Sequence, residues 1–163
     1  MSPREQAAWA AVAQVPDPEL PALTLCDLGI VREVREVGAG VEVVLTPTYS
    51  GCPATEFIEA SVQEALAQAG FHPVTVRQQL SPAWTSDWIS EQGRRKLLAY
   101  GVAPPGPAAG TEVIGIRIRP RQLACPRCSS ANTERLSAFG STACKALHRC
   151  LDCLEPFEHF KSI

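Results

Sequence analysis

Two Cys-x-x-Cys pairs, Cys125-Pro126-Arg127-Cys128 and Cys150-Leu151-Asp152-Cys153, flank residues 129–149, and this spacing constrains the end of the chain more than any other feature. Two residues between cysteines let one tight turn aim both sulfurs at a single ion, and two such turns supply a tetrahedral thiolate set with no open position. A closed set of this kind serves structure rather than catalysis. The segment 120–163 is short for a domain that must fold on an apolar core alone, so metal binding there becomes folding free energy. Zinc is the expected ion, with iron or a redox-active dithiol as the alternatives. Cys144 and His148 lie inside the spacer, but their separation has no matching second pair, and both are read as structural. His72, before Pro73, and His159, beside Phe160, are read as exposed turn histidines.

Seven cysteines point to a reducing compartment, where close cysteine pairs bind metals more often than they form disulfides. Residues 1–14 lack the uninterrupted apolar run of a secretory signal, and no stretch approaches the roughly 20 apolar residues of a membrane span. A cytoplasmic protein with no membrane partner is expected. The formal charge of -2 gives no general attraction to polyanions. From Thr111 onward the formal charge is +3, which four thiolates and one divalent ion reduce to about +1. Nucleic acid is therefore a poor partner for the ribbon, and Phe139, Phe157 and Phe160 are expected to form its small core rather than to stack on bases.

Residues 4–14 read as a helix closed by Val15-Pro16-Asp17-Pro18. Ile30–Val37 and Val41–Leu45, rich in β-branched residues and joined by Gly38-Ala39-Gly40, read as a β-hairpin. Pro53–Ala69 places Ile58, Val62 and Leu66 on one helical face, with Gly70 as its stop. Val74–Leu80 reads as a third strand, and Ser86–Tyr100 as a second long helix, weakened by Gly93. Three prolines and two glycines in 102–110 mark a linker, and Thr111–Arg119 alternates as a strand. The expected organisation is a compact two-layer α+β domain over 1–101, a linker and strand over 102–119, and a zinc ribbon over 120–163.

Cys52 falls at the expected N-cap of the Pro53–Ala69 helix, where free N–H groups and the helix dipole favour thiolate over thiol. A buried cysteine filling a gap is the equal alternative. Cys26, between Leu25 and Asp27, is read as packing.

The segments Val15-Pro16-Asp17-Pro18-Glu19-Leu20, Cys26-Asp27-Leu28-Gly29-Ile30-Val31, Thr46 through Pro53, and Ser81-Pro82-Ala83-Trp84-Thr85-Ser86-Asp87-Trp88 together resemble the SufT-like iron–sulfur assembly family, over about residues 4–101. With Phe139-Gly140-Ser141-Thr142-Ala143-Cys144-Lys145-Ala146-Leu147 and Glu155-Pro156-Phe157, nearly the whole chain resembles the PaaD (PaaJ) subunit family of the phenylacetyl-CoA epoxidase system. The resemblance implies an assembly-factor fold, with Cys52 matching the family cysteine and Asp27 the acid of the Asp-Leu-Gly motif. It implies a non-catalytic accessory role in aerobic phenylacetate degradation, assisting iron–sulfur assembly or insertion in the reductase subunit, with Cys52 a transient thiolate ligand. The other subunits of the system, above all the iron–sulfur reductase, are the implied partners, and self-association into a homo-oligomer is open. A structural subunit bridging oxygenase and reductase is the alternative. No Glu-x-x-His occurs, as a di-iron helix pair would need, and there is neither a glycine-rich dinucleotide fingerprint nor a ferredoxin cysteine run. The chain is thus expected to be neither the oxygenase nor the reductase.

Overall fold

The computed structural model describes residues 1–49, 51–108 and 123–163. Ser50 and the strand expected at Thr111–Arg119 lie outside them. The chain divides into two compact units, one of Met1–Trp84 with Trp88–Gly93 and the other of Thr85–Asp87 with Arg94–Ile163.

The first unit opens with α1 (Pro3–Val12). Ser2 accepts the Glu5 N–H at 3.0 Å while the Glu5 carboxylate accepts the Ser2 N–H at 2.8 Å, a reciprocal cap with Pro3 in the first turn. Ala8 and Val12 are its buried residues. The expected hairpin forms from β1 (Val31–Val37) and β2 (Gly40–Leu45), antiparallel with Val34 opposite Val43 and Val37 opposite Gly40. Its β2 is buried almost throughout, because β3 (Val74–Gln78) pairs with its other edge in parallel, Val43 opposite Val76. A parallel partner needs a crossover, which α2 (Thr55–Gln68) supplies, burying Ile58, Val62 and Leu66.

The helix expected over Ser86–Tyr100 is two elements, a 3₁₀ turn at Ser86–Trp88 and α3 (Glu91–Tyr100). The break has a local and a tertiary cause. Ser90 Oγ accepts the Gly93 N–H at 2.9 Å, an N-cap bond, while the Ser90 N–H donates to the Asp27 carbonyl at 2.9 Å. Gly93 lies so close to Asp27 that a Cβ there would stand 2.7 Å from its carbonyl oxygen.

The second unit carries β4 (Val102–Ala103), β5 (Thr133–Ser137), β6 (Lys145–Cys150) and β7 (Pro156–Phe160), in the order β4-β7-β6-β5. Two residues of the expected linker, Val102 and Ala103, are therefore a strand, buried and paired in parallel with Glu158 and His159. The Arg94 guanidinium donates to the Pro105 carbonyl at 2.6 Å and the Ser86 carbonyl at 2.9 Å. The division between the two units falls inside α3. The ribbon's apolar cluster is Ala103, Cys125, Cys150 and Phe157, with Leu123 packed against it. Phe160 is buried as expected, but Phe139 is 64% exposed, its ring held 4.1 Å from the Lys161 ammonium. Lys145 is buried and pairs with Glu158 at 2.8 Å. Burial pushes the Glu158 carboxyl up, yet the Lys145 ammonium and the Ser141 N–H outweigh it and hold it below its usual range.

Candidate metal centre and thiol site

The ribbon's two knuckles share one backbone design. Cys125 donates its N–H to Ser130 and Cys150 donates to Glu155, at 2.8 and 3.0 Å, so each cysteine pair sits in a turn closed by main-chain bonds. Each turn contains a residue in the left-handed region, Ser129 at φ 63° and Leu154 at φ 64°. Within the turns, the Arg127 N–H points at Cys125 Sγ (3.4 Å) and the Cys153 N–H at Cys150 Sγ (3.5 Å). N–H groups of this kind orient thiolate ligands and stabilise their charge.

Across the knuckles, Cys125 Sγ lies 3.8 Å from Cys153 Sγ and Cys128 Sγ 3.5 Å from Cys150 Sγ, and all four sulfurs lie within 4.8 Å of one another. Sulfurs bound at 2.3 Å to a tetrahedral zinc stand about 3.8 Å apart. The two cross-knuckle separations lie at and just below that spacing, as a shared zinc ion requires. Cys125 and Cys150 are buried, whereas Cys128 and Cys153 are exposed. The Cys153 N–H draws the Cys150 thiol down to about 7. Its neighbour behaves oppositely: the Glu155 N–H pulls Cys153 down, but local desolvation and the other three sulfurs push it up to about 12. One easily ionised thiol beside a reluctant one is how crowded sulfurs share charge before a cation neutralises them.

Asp152 supplies a brace that sequence spacing did not reveal. Its carboxylate accepts from the Ser130 hydroxyl and, at 2.8 Å, from the Asn132 amide, tying the second knuckle to the first. Those bonds, Ser130 first, hold its carboxyl below the ordinary range. Its only signal in the sequence is its place between two ligand-spaced cysteines.

Cys144 is buried, with its sulfur 3.0 Å from the Thr142 hydroxyl, and does not join the four-sulfur group. His148 stacks on Phe157 at 5.7 Å between ring centroids and meets His159 edge-on at 5.5 Å. His159 is thus a half-buried residue of β7 and not an exposed turn histidine, because β7 lies in the sheet beside β6. Burial, with His148 adding to it, lowers the His159 pKa to about 4. The unfolded ring takes up its proton near 6.5, so between that pH and about 4 the unfolded chain binds more protons and stability falls as pH drops. His159→Phe is expected to flatten this part of the stability-versus-pH curve, measured as urea midpoints of zinc-loaded protein between pH 7 and 4.5. An unchanged slope in the variant would remove His159 as the cause.

In the first unit, Cys52 is partly exposed but does not cap α2. The N-cap is Ala54, and Cys52 stands earlier, its carbonyl accepting the Thr55 N–H at 3.1 Å and the Thr55 hydroxyl at 2.8 Å. Thr55 satisfies the turn through its own side chain, which leaves the helix to begin later than Pro53 suggested. The dipole contribution expected at Cys52 is correspondingly weaker. Cys26 is half-buried, and burial, with Asp27 adding to it, pushes its thiol up to about 11, as suits a packing cysteine.

Asp27 is buried in a bracket. Its carboxylate accepts the Thr24 N–H at 2.9 Å, its own N–H donates to the Thr24 hydroxyl at 3.1 Å, and the Ser90 hydroxyl stands 3.5 Å from its other oxygen. Around it the Asp-Leu-Gly segment is clasped by Trp84 and by Trp88–Gly93. Trp84 Nε1 donates to the Leu28 carbonyl at 2.9 Å, and Trp88, whose ring carries the Arg32 guanidinium at 3.6 Å, backs onto Gly29. Two motifs far apart in sequence are one packing unit.

Among the described residues no helix is long and apolar enough to cross a membrane. A family model described as the PaaD zinc beta ribbon domain matches residues 114–161, and one described as an iron–sulfur cluster assembly protein matches residues 5–76. The structure resembles the crystal structure of a domain of unknown function, DUF59, from Bacillus anthracis, with TM-score 0.53 and 25% identity over 57% of this chain and 90% of that one. A conserved hypothetical protein from Thermotoga maritima matches at TM-score 0.48 and 27% identity, over 60% of this chain and 94% of that one. The fold is α+β with a C-terminal zinc ribbon, as expected. Along 162 residues, 99% of this chain and 94% of the relative, the sequence is 48% identical to a putative 1,2-phenylacetyl-CoA epoxidase subunit of Escherichia coli (strain K12). Ribbon, assembly-type domain and full-length identity agree: the chain belongs to the PaaD family of phenylacetyl-CoA epoxidase subunits.

Proposed function

We propose that this chain is a non-catalytic, cytoplasmic maturation factor for a phenylacetyl-CoA epoxidase system, and that it delivers an iron–sulfur cluster to the reductase subunit. The observation that supports it is the division of thiols. Cys125, Cys128, Cys150 and Cys153 form a closed set suited to holding one zinc ion permanently, while Cys52 is not a member of that set and is partly exposed in the assembly-type domain. A carrier must release its cargo, and a single accessible thiolate suits that better than a four-sulfur cage. Zinc supplies a fixed tetrahedral clamp for the ribbon, which serves as the docking module. Asp27 braces the Asp-Leu-Gly turn and takes no direct part in carrying cargo.

Cys52→Ser is expected to leave the thermal midpoint nearly unchanged and to slow cluster loading of the apo-reductase at least about tenfold, read by visible absorbance and iron content. Zinc content should stay at one equivalent in both proteins. Full loading by the serine variant would rule out the carrier reading. A lasting stoichiometric complex with both oxygenase and reductase would favour a bridging role instead.

A further inference from the structure

A closed tetrahedral thiolate set has no vacant position, so its ion leaves only after one sulfur has let go. Exposure decides which sulfur goes first. Cys125 and Cys150 are buried in the ribbon's apolar cluster, whereas Cys128 and Cys153 are exposed, so a competing ligand from solvent meets those two. For either of them to swing clear, the turn that carries it must part from the other turn.

The bonds that resist that parting converge on Asp152, the residue before Cys153. One carboxylate oxygen accepts from the Ser130 hydroxyl and the other from the Asn132 side-chain amide at 2.8 Å. The Ser130 hydroxyl is held in place, because it accepts the Asn132 N–H at 3.0 Å while the Ser130 carbonyl accepts the Cys125 N–H at 2.8 Å and closes the first turn. The main chain adds to the link, the Leu151 N–H donating to the Asn132 carbonyl at 2.8 Å. Asn132 and Asp152 are both exposed, so they add little to the ribbon's apolar core. Their bonds lie instead on the side of the site from which the ion can be attacked, and an ionised acceptor makes them stronger than neutral ones. We propose that Asp152 is a positioning residue that latches the Cys153 turn to the segment following Cys128, and so sets the rate at which the ribbon loses zinc. This rests on zinc at the four sulfurs and is independent of the carrier reading of Cys52.

The full-length zinc-loaded chain is compared with Asp152→Ala, Asp152→Asn, a double variant carrying Ser130→Ala and Asn132→Ala, and the triple variant that adds Asp152→Ala to these. Each is mixed with excess colorimetric chelator, and zinc release is followed in time. Asp152→Ala is expected to bind one equivalent of zinc but to release it at least about tenfold faster than wild type. Its cobalt-loaded form should keep the wild-type thiolate absorption bands, and amide protection in β5–β7 should be unchanged in excess zinc. Asp152→Asn, which keeps an acceptor oxygen for Ser130, should release at an intermediate rate. The double variant should match Asp152→Ala, and the triple should be no more than about twofold faster than either, since each removes the same link. Wild-type release by Asp152→Ala would overturn the inference. So would effects that multiply in the triple variant, altered cobalt bands, which would place Asp152 among the ligands, or lost protection in excess zinc, which would make it a general support of the ribbon. Failure of the wild-type chain itself to bind one equivalent would sink the zinc reading as well.

Discussion

Cys150→Ser is expected to abolish stoichiometric zinc binding and to erase amide protection throughout β5, β6 and β7. Cys150 is fully buried at the end of β6, opposite Thr133 of β5, and its sulfur is 3.5 Å from Cys128 Sγ. It joins both knuckles to the sheet. Two of the four members of the ribbon's buried cluster, Cys125 and Cys150, are themselves members of the sulfur set, which leaves Ala103 and Phe157 as its other side chains. Even with Ala146 and Phe160, which are buried in β6 and β7, so small a core does not offset the entropy of ordering the segment, roughly 1–2 kcal/mol per residue. Structural zinc in comparable thiolate sites contributes on the order of 10–16 kcal/mol near neutral pH. Loss of one ligand should therefore cost more than the whole stability of the ribbon. Hydrogen exchange followed by mass spectrometry, with metal analysis of the same samples, checks this. Stripping the metal from the wild-type chain with a strong chelator should give the same loss, and adding zinc back should reverse it. Protection that persists in β5–β7 after chelation would show that the ribbon folds without its ion.

How far the sequence disclosed the fold depended on the range of the interaction responsible. The four ribbon thiols were legible because a tetrahedral site imposes a local spacing, and the structure brings them within 4.8 Å. The hairpin was legible because Gly38-Ala39 separates two β-branched runs, and α2 because Ile58, Val62 and Leu66 repeat at helical spacing. The start of α1 was also available, since Ser2 and Glu5 have capping-box spacing with Pro3 between them. The interruption before α3 was hidden. Trp88 and Ile89 continue an apolar helical pattern, while the bond that stops it, from the Ser90 N–H to the Asp27 carbonyl, joins residues remote in sequence. Phe139 was misplaced because composition alone assigns aromatics to a core, whereas here a lysine side chain covers its ring.

The clasp that Trp84 and Trp88–Gly93 form on the Asp-Leu-Gly turn predicts the second large effect, at Gly29. Its φ of 69° lies where a side chain costs about 1–2 kcal/mol, because Cβ crowds the following carbonyl. A Cβ would also stand 2.6 Å from the Trp88 carbonyl oxygen and 2.7 Å from Trp88 Cβ, main-chain and near-main-chain atoms that cannot swing aside. Relief would require moving Trp88, which carries the Arg32 guanidinium on its ring, and with it the Ser90 N–H bond that holds Asp27. Overpacking of this kind adds about 1–3 kcal/mol. Gly29→Ala is thus expected to destabilise the first unit by about 3 kcal/mol or more, measured as a fall in urea midpoint. Gly38→Ala isolates the backbone part, since Gly38 has a φ of 59° but meets nothing within 4 Å of an added Cβ, and it should cost only about 1 kcal/mol. Equal losses in the two variants would mean that the left-handed turn alone explains the glycine. A much larger loss at Gly29 would mean that the glycine is needed because Trp88 packs directly against the turn, where no Cβ fits.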